Sequence, residues 1–474
     1  MNLEFIRPIL KYLPEIKIPN RKVAFKEKLT WTSLTLVLFF VMGVIYPYGV
    51  TPETLSQHIR GFESMTMIFA SSIGTLTSVG IGPIVTASII LQLLVGAEMI
   101  DIDLKTREGK ALFQGAQKIL TVFIAIFEAA ALVVATNMVG EAGLPVYQKL
   151  LEPITLFTVF QIALGSVLLM YMDEIVSKWG IGSGISLFIA GGVSHTIITG
   201  SLNPLKGTGG LAYAGYLPNF FSQMISGNLN FVLLAPIAAT VIVFLFVVYG
   251  EAMRIEIPLS YGSIRGVGGR IPLRFFYVSN IPVILTSALL MNVRMWTGLV
   301  GVNPDSGMRP ADMSFLQNIV YTVSNYITLG NLYSVLQPEN WYILSDPMVL
   351  LHLLVYMIVF SGLCVLFGQF WVQTTGLDSE SMAKQIEEGG MQIPGHRPDR
   401  RIIKVVLDKY IPHLTILSSI GVGMLATVAD LMGALGSGTG ILLTVGIIYR
   451  LYEDIQKDQM ADMSPTFRRF MGKS

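Results

Sequence analysis

The chain has 474 residues, 52% of them hydrophobic and only 13% charged, with a mean hydropathy of +0.62 and a net charge of +1. Soluble globular proteins carry about 25% charged residues, so an ordinary soluble enzyme and a disordered chain are both excluded, and no global basic field exists to drive nucleic-acid binding. The single cysteine, Cys364, excludes an intramolecular disulfide framework and a cysteine-based zinc site.

Residues 1–28 come first, with Ile6, Ile9, Leu10 and Leu13 at helical spacing among Lys and Arg. They read as an amphipathic helix on the membrane surface or as a loose basic tail. No cleavable leader is expected, because the first apolar run is long and lacks a small-residue cleavage pattern. Ten apolar runs follow, at 29–52, 64–97, 119–140, 153–172, 179–205, 231–249, 275–293, 347–377, 410–429 and 431–449. Only the third contains a charge, Glu128. A membrane-spanning helix needs about 20 such residues, so the chain reads as all-α with ten spans. The stretch 313–338 is also uncharged, but Ser, Asn, Gln and Thr recur through it, and it reads as a loop.

The second run is too long for one span and is broken at Gly74, Gly80, Gly82 and Pro83. Its first part, from about 54 to 76, must sit outside or fold back into the protein. Non-helical backbone at membrane depth is tolerated only when buried or lining a cavity, so a re-entrant stopper is expected here.

Ten spans put both termini on one side of the membrane. That side collects 27 of the 32 Lys and Arg, and the other side only 5. Positively charged loops stay inside, so both termini are expected in the cytoplasm. Two cytoplasmic loops, 251–274 and 378–409, are long and project polar and basic residues. They read as a docking surface or as carriers of orienting charge alone. Five spans precede Lys206 and five follow, so repeated halves would be inverted in the membrane. Gly182-Ser183-Gly184 and Gly436-Ser437-Gly438 echo each other at the fifth span of each half.

Several chemistries are absent. No phosphate-binding loop and no H-E-x-x-H occur, and no pair among His58, His195, His352, His396 and His413 has metal-ligand spacing. Ser183 sits in a protease-like turn, but Ile181 replaces the first glycine and His195 lies on the same span. No catalytic, cofactor or metal site is expected. Glu128 reads as a polar group bonded across helices or as a proton site. An ion-coupled secondary transporter of a small solute is the rival function, and it needs more buried ionisable residues than this one.

The runs at 75–94 (TLTSVGIGPIVTASIILQLL), 111–118 (ALFQGAQK), 173–190 (DEIVSKWGIGSGISLFIA), 277–285 (YVSNIPVIL), 371–384 and 433–452 (GALGSGTGILLTVGIIYRLY) carry a resemblance over nearly the whole chain. It resembles the SecY family, the channel-forming subunit of the protein-conducting translocon, and is more similar to archaeal members than to bacterial ones. The endoplasmic-reticulum translocon alpha subunit is the eukaryotic counterpart. The resemblance implies an inverted clamshell, its halves at 29–205 and 206–455 and a tail at 456–474, with a plug at about 54–72. It implies a passive pore for secretory polypeptides with a lateral gate into lipid, in the plasma membrane.

The resemblance also implies site residues. A pore ring falls on Ile81, Val85, Ile185, Ile189, Ile284 and Leu443. Spacing alone reads Ile81/Val85 and Ile185/Ile189 as ordinary core pairs on one helix face. A polar cluster across the lateral gate falls on Thr86, Glu128 and Asn292. Ribosome contacts fall on Arg265, Arg270 and Arg397. The implied partners are small SecE- or gamma-type and beta-type subunits, the ribosome, the signal-recognition-particle receptor, signal sequences, nascent polypeptides and the lipid bilayer.

Overall fold

The computed structural model describes residues 13–21, 23–50, 70–96, 99–100, 106–136, 138–139, 146–205, 213–227, 230–261, 268–278, 281–299, 314–327, 346–392 and 399–462. A helix lies in each of the ten apolar runs. These are α1 (Phe25–Met42), α2 (Gly82–Gly96), α3 (Arg107–Ala135), α5 (Pro153–Trp179) and α6 (Gly184–Leu202) in the first half of the chain. In the second they are α8 (Ala235–Ala252), α9 (Ile281–Leu299), α11 (Pro347–Thr375), α14 (Ile411–Leu431) and α15 (Gly438–Asp462). Six of the described helical segments are long and apolar enough to cross a membrane, while α2 and the apolar part of α9 are shorter. Proline at the first turn starts α5, α8, α11 and α14, where its missing N–H costs nothing. Side-chain caps start others: Thr106 accepts from the Gly109 amide at 3.0 Å before α3, and Asp346 from the Met348 amide at 3.0 Å before α11.

Short helices fill the connections. They are α4 (Val146–Leu151), α7 (Tyr216–Ile225), α10 (Phe315–Ile327), α12 (Ser379–Glu388) and α13 (Arg400–Asp408). The stretch read as a loop at 313–338 therefore contains α10. Its polar residues interrupt a span but are compatible with a helix that is apolar along one face.

The halves of the chain meet along two lines. The helices α2 and α3 pack on α9, and α6 packs on α15. Within the halves, α1 and α3 pack on α5, α8 on α15, and α11 on both α9 and α14. Outward faces keep large apolar side chains exposed, as at Phe244, Leu245 and Phe246 on α8. A soluble protein would bury them, and a lipid-facing surface does not.

The two long loops build one unit. Strands β1 (Arg254–Tyr261) and β2 (Gly268–Arg274) pair antiparallel, with Ile257 opposite Ile271. A third strand, β3 (Met391–Gln392), from the other loop, pairs with β1 at Ser260 and Tyr261. Beneath them a separate apolar core joins Leu273, Val278, Ala383, Ile386, Ile403 and Leu407. The Tyr277 hydroxyl donates to the Leu377 carbonyl at 2.6 Å. The two loops thus fold together around a core of their own.

Near the N-terminus, residues 13–21 and 23–24 run without helix before α1. Lys178 at the end of α5 donates to the Glu15 carboxylate at 3.1 Å and to the Ile16 carbonyl at 2.5 Å, and the Trp179 indole donates to the Lys17 carbonyl at 3.1 Å. This part of the segment is a strap, not a loose tail. Residues 1–12, with most of the expected surface helix, lie outside the described residues.

Candidate pore constriction and gate

Four helices bring the six ring candidates into one apolar cluster. Ile81 and Val85, at the start of α2, are buried there with Ile189 of α6 and Leu443 of α15. Ile185 of α6 and Ile284 of α9 are partly buried against the same cluster. Ile185/Ile189 and Ile81/Val85 use successive turns, so each pair presents one face. Aliphatic side chains make no directional bonds. They close on one another, exclude water and ions, and yield to any chain without sequence preference. Ala70, in the segment leading to α2, is buried in the same cluster.

The approach to α2 explains why Ile81 is held so firmly. Between 70 and 81 the chain is a polar knot, not a helix. The Ser78 hydroxyl accepts from the Gly74 amide at 3.0 Å and donates to the Thr75 carbonyl at 2.5 Å. The Thr75 hydroxyl donates to the Ser72 carbonyl at 2.7 Å, and accepts from the Thr77 amide at 3.2 Å. Left-handed φ angles of 87° at Gly74 and 60° at Gly80 fold it tightly. These hydroxyls satisfy backbone groups that membrane depth would otherwise leave unpaired. The Leu76 amide donates to the Ile45 carbonyl at 2.9 Å, and the Leu76 carbonyl presses on Gly165 of α5, where any Cβ would collide with it. The break read at Gly74, Gly80, Gly82 and Pro83 is therefore a built anchor. Of the expected plug at 54–72, only 70–72 fall among the described residues.

Thr86, Glu128 and Asn292 form a hydrogen-bonded chain across three helices. The Asn292 side-chain amide on α9 donates to the Thr86 hydroxyl of α2 at 2.9 Å. The Thr86 hydroxyl donates in turn to Glu128 Oε1 of α3 at 2.7 Å. Asn292 also donates to the Ala288 carbonyl of its own helix at 3.0 Å. Glu128 and Asn292 are buried. Glu128 is thus a polar group bonded across helices, the first of its two readings. Thr86 is the relay, since it both accepts and donates, and every link needs α2, α3 and α9 together.

The basic loops are only partly placed. Arg270 lies in β2 opposite Pro258, and its side chain, like the whole of Arg265 and Arg397, lies outside the described residues. Neighbouring cations are paired inward. Arg274 Nη2 meets both oxygens of Glu453 on α15, at 2.6 and 2.7 Å, and stacks 5.4 Å from the Tyr449 ring. Partial burial works against the Arg274 charge, but Glu453 more than offsets it and holds the guanidinium above its ordinary range. Arg400 and Lys404 share Glu380.

Sequence reasoning missed two residues beside the ring. Asp173, near the end of α5, and Asp430, near the end of α14, each reach over to the start of the next helix. The only sequence signal was the repeated Gly-Ser-Gly at those starts.

The family model for SecY matches residues 75–452. A curated relative, protein translocase subunit SecY of Methanocaldococcus jannaschii, is 45% identical, with 98% of this chain and 99% of that one covered. A solved SecY structure, described as having a plug domain that stabilises the closed state of the translocation channel and maintains a membrane seal, superimposes with a TM-score of 0.79. It is 42% identical and covers 97% of this chain and 98% of its own. The Sec61 chain of a canine ribosome-channel complex from the endoplasmic reticulum gives a TM-score of 0.78 at 43% identity, again covering 97% and 98%.

Proposed function

The chain belongs to the SecY family and is a non-enzymatic channel subunit of a protein translocase, and from that premise we propose how its own residues do the work. Ten spans form two inverted five-helix halves, 29–205 and 206–455, that close as a clamshell with both termini in the cytoplasm. Ile81, Val85, Ile185, Ile189, Ile284 and Leu443 are the ring that seals the resting pore and slides along a passing polypeptide. Thr86, Glu128 and Asn292 latch the lateral gate. The plug lies at about 54–72.

The observation that carries this reading is the convergence of four helices on one aliphatic cluster beside a hydrogen-bonded chain joining α2, α3 and α9. The aliphatic ring itself offers no directional group by which to select a small solute. Arg265, Arg270 and Arg397, in the loops that share one sheet, contact the ribosome, where guanidinium groups pair with RNA phosphates. The relative seen in a ribosome-channel complex supports this partner. A SecE- or gamma-type subunit packs in this reading against the open apolar depression between α6, α8 and α15, lined by Ile198, Val241, Phe244 and Ile448. A beta-type subunit and the signal-recognition-particle receptor complete the partners, and the membrane is the plasma membrane.

Crosslinking tests the pore directly. An arrested secretory nascent chain should react with cysteine placed at Val85 or Ile189, and not with cysteine at lipid-facing Phe246. Absence of pore crosslinks in an engaged complex would overturn the assignment. Ile189→Lys should hydrate the constriction and leak ions, whereas Ile189→Leu should not. Equal conductance of the two variants would remove Ile189 from the ring.

A further inference from the structure

Asp173 and Asp430 occupy matching places in the two halves. Asp173 Oδ1 accepts from the Ile185 amide at 2.9 Å and from the Ser183 hydroxyl at 3.3 Å. Asp430 Oδ1 accepts from the Gly438 amide at 2.6 Å and the Thr439 amide at 3.2 Å, and its Oδ2 accepts from the Thr439 hydroxyl at 2.9 Å. Each carboxylate thus leaves the end of one helix to cap the start of the next.

The connections share a pattern at their glycines, though the serine between is left-handed at Ser437, with φ of 56°, and extended at Ser183. Each holds a Gly-Ser-Gly whose first glycine is left-handed, with φ of 74° at Gly182 and 82° at Gly436. The second glycine opens the helix and is pressed against the helix before it. A Cβ at Gly184 would lie 2.5 Å from the Asp173 Cα, and one at Gly438 would collide with the Ala429 side chain and the Asp430 backbone.

An ordinary cap comes from the residue next to the helix and only ends it. A cap borrowed from a neighbouring helix also fixes where the new helix sits and how it is rotated. Both helices fixed in this way carry the ring. Ile185 is bonded to Asp173 through its own amide, Ile189 lies one turn beyond, and Leu443 lies on the second turn of α15. A helix start that loses its carboxylate leaves its first amides unpaired, and they find other partners by shifting the helix.

We infer that Asp173 and Asp430 are a repeat-related pair of positioning residues that set the ring, each holding the fifth helix of its half so that Ile185, Ile189 and Leu443 meet at the constriction. The inference rests on the ring assignment proposed above.

The test uses the full chain in its translocon complex, reconstituted into lipid vesicles. Asp173→Ala and Asp430→Ala should each raise resting ion conductance several-fold. They should also slow disulfide formation between cysteines placed at Val85 and Ile189. Asp173→Asn and Asp430→Asn, which keep an acceptor oxygen at the same place, should restore most of both. Asn230→Ala removes a side-chain cap, 3.1 Å from the Val232 amide, from a helix start that carries no ring residue, and should change neither readout. A merely structural role predicts lower thermal stability with unchanged conductance and pairing in the folded alanine variants. That result, or equal leak from Asn230→Ala, would overturn the inference. If Ile189→Lys also fails to leak, the ring assignment falls; if it leaks and the aspartate variants do not, only the positioning role falls.

Discussion

Two seams between helices differ in what their hydroxyl groups do. On α14, which packs on α11 with Ser419 against Gly368, the hydroxyls of Thr415, Ser418 and Ser419 donate to carbonyls of their own helix, at 2.8, 3.2 and 2.7 Å. The seam is instead made by close approach: a Cβ at Gly423 would lie 3.0 Å from the Ser361 Cα and 3.4 Å from Cys364 Sγ. Between α2, α3 and α9 the Thr86 hydroxyl bonds across, to Glu128 and from Asn292. Packing spread over many atoms resists separation everywhere at once and has no switch. A short chain of hydrogen bonds in lipid, averaging about 0.6 kcal/mol each and reaching about 1–2, can be opened by an incoming segment that supplies as much. One seam fixes the architecture; the other is poised to part.

Breaking the packed seam should have the largest effect. Gly423→Leu forces a side chain into a space where even a methyl is tight, so it should cost about 1–3 kcal/mol or more of stability. Thermal unfolding of the purified complex measures this, and an unchanged midpoint would show that the seam is not tight. Next comes Thr86→Val, which removes the relay and both cross-helix bonds while keeping the shape. The gate should shift toward open by about 1–2 kcal/mol, roughly fivefold to thirtyfold in its equilibrium. The readout is the minimum signal-sequence hydrophobicity accepted in a translocation assay, which should fall.

Asn292→Leu and Glu128→Leu each remove one end of the chain, so each should shift the gate by about 0.6 kcal/mol, near threefold. Both should lower the same threshold, and each combined with Thr86→Val should add little, because all three share one network. An unchanged threshold would sink the latch. An ion-coupled transporter would lose solute flux instead. Smallest is Ser419→Ala, which deletes a bond within a single helix. It should change stability by less than about 1 kcal/mol and leave the threshold alone. A threshold that moved would erase the difference between the seams.

The spans were legible because charge is so scarce that its few positions mark their edges. Ile81/Val85 and Ile185/Ile189 were legible as faces, but their meeting with Ile284 and Leu443 came only through the family resemblance. Glu128 stood out as the one charge in an apolar run, but Thr86 and Asn292 joined it only through the family resemblance, and the relay role of Thr86 depends on three helices meeting. The sheet was hidden because β3 is only two residues long and lies far along the chain from β1. Asp173 and Asp430 looked like span boundaries. Their caps act on helices that start several residues later, beyond the local spacing by which an N-cap is recognised.

The knot at 70–81 has a kinetic consequence. Leu76 is pinned between Ile45 and Gly165, beside the ring, so the stopper proposed at about 54–72 has one end tied down next to its own seat. Its return after a chain has passed is then an intramolecular event. Resealing should follow first-order kinetics, independent of how many channels the membrane holds, with a rate that changes when the tether is lengthened.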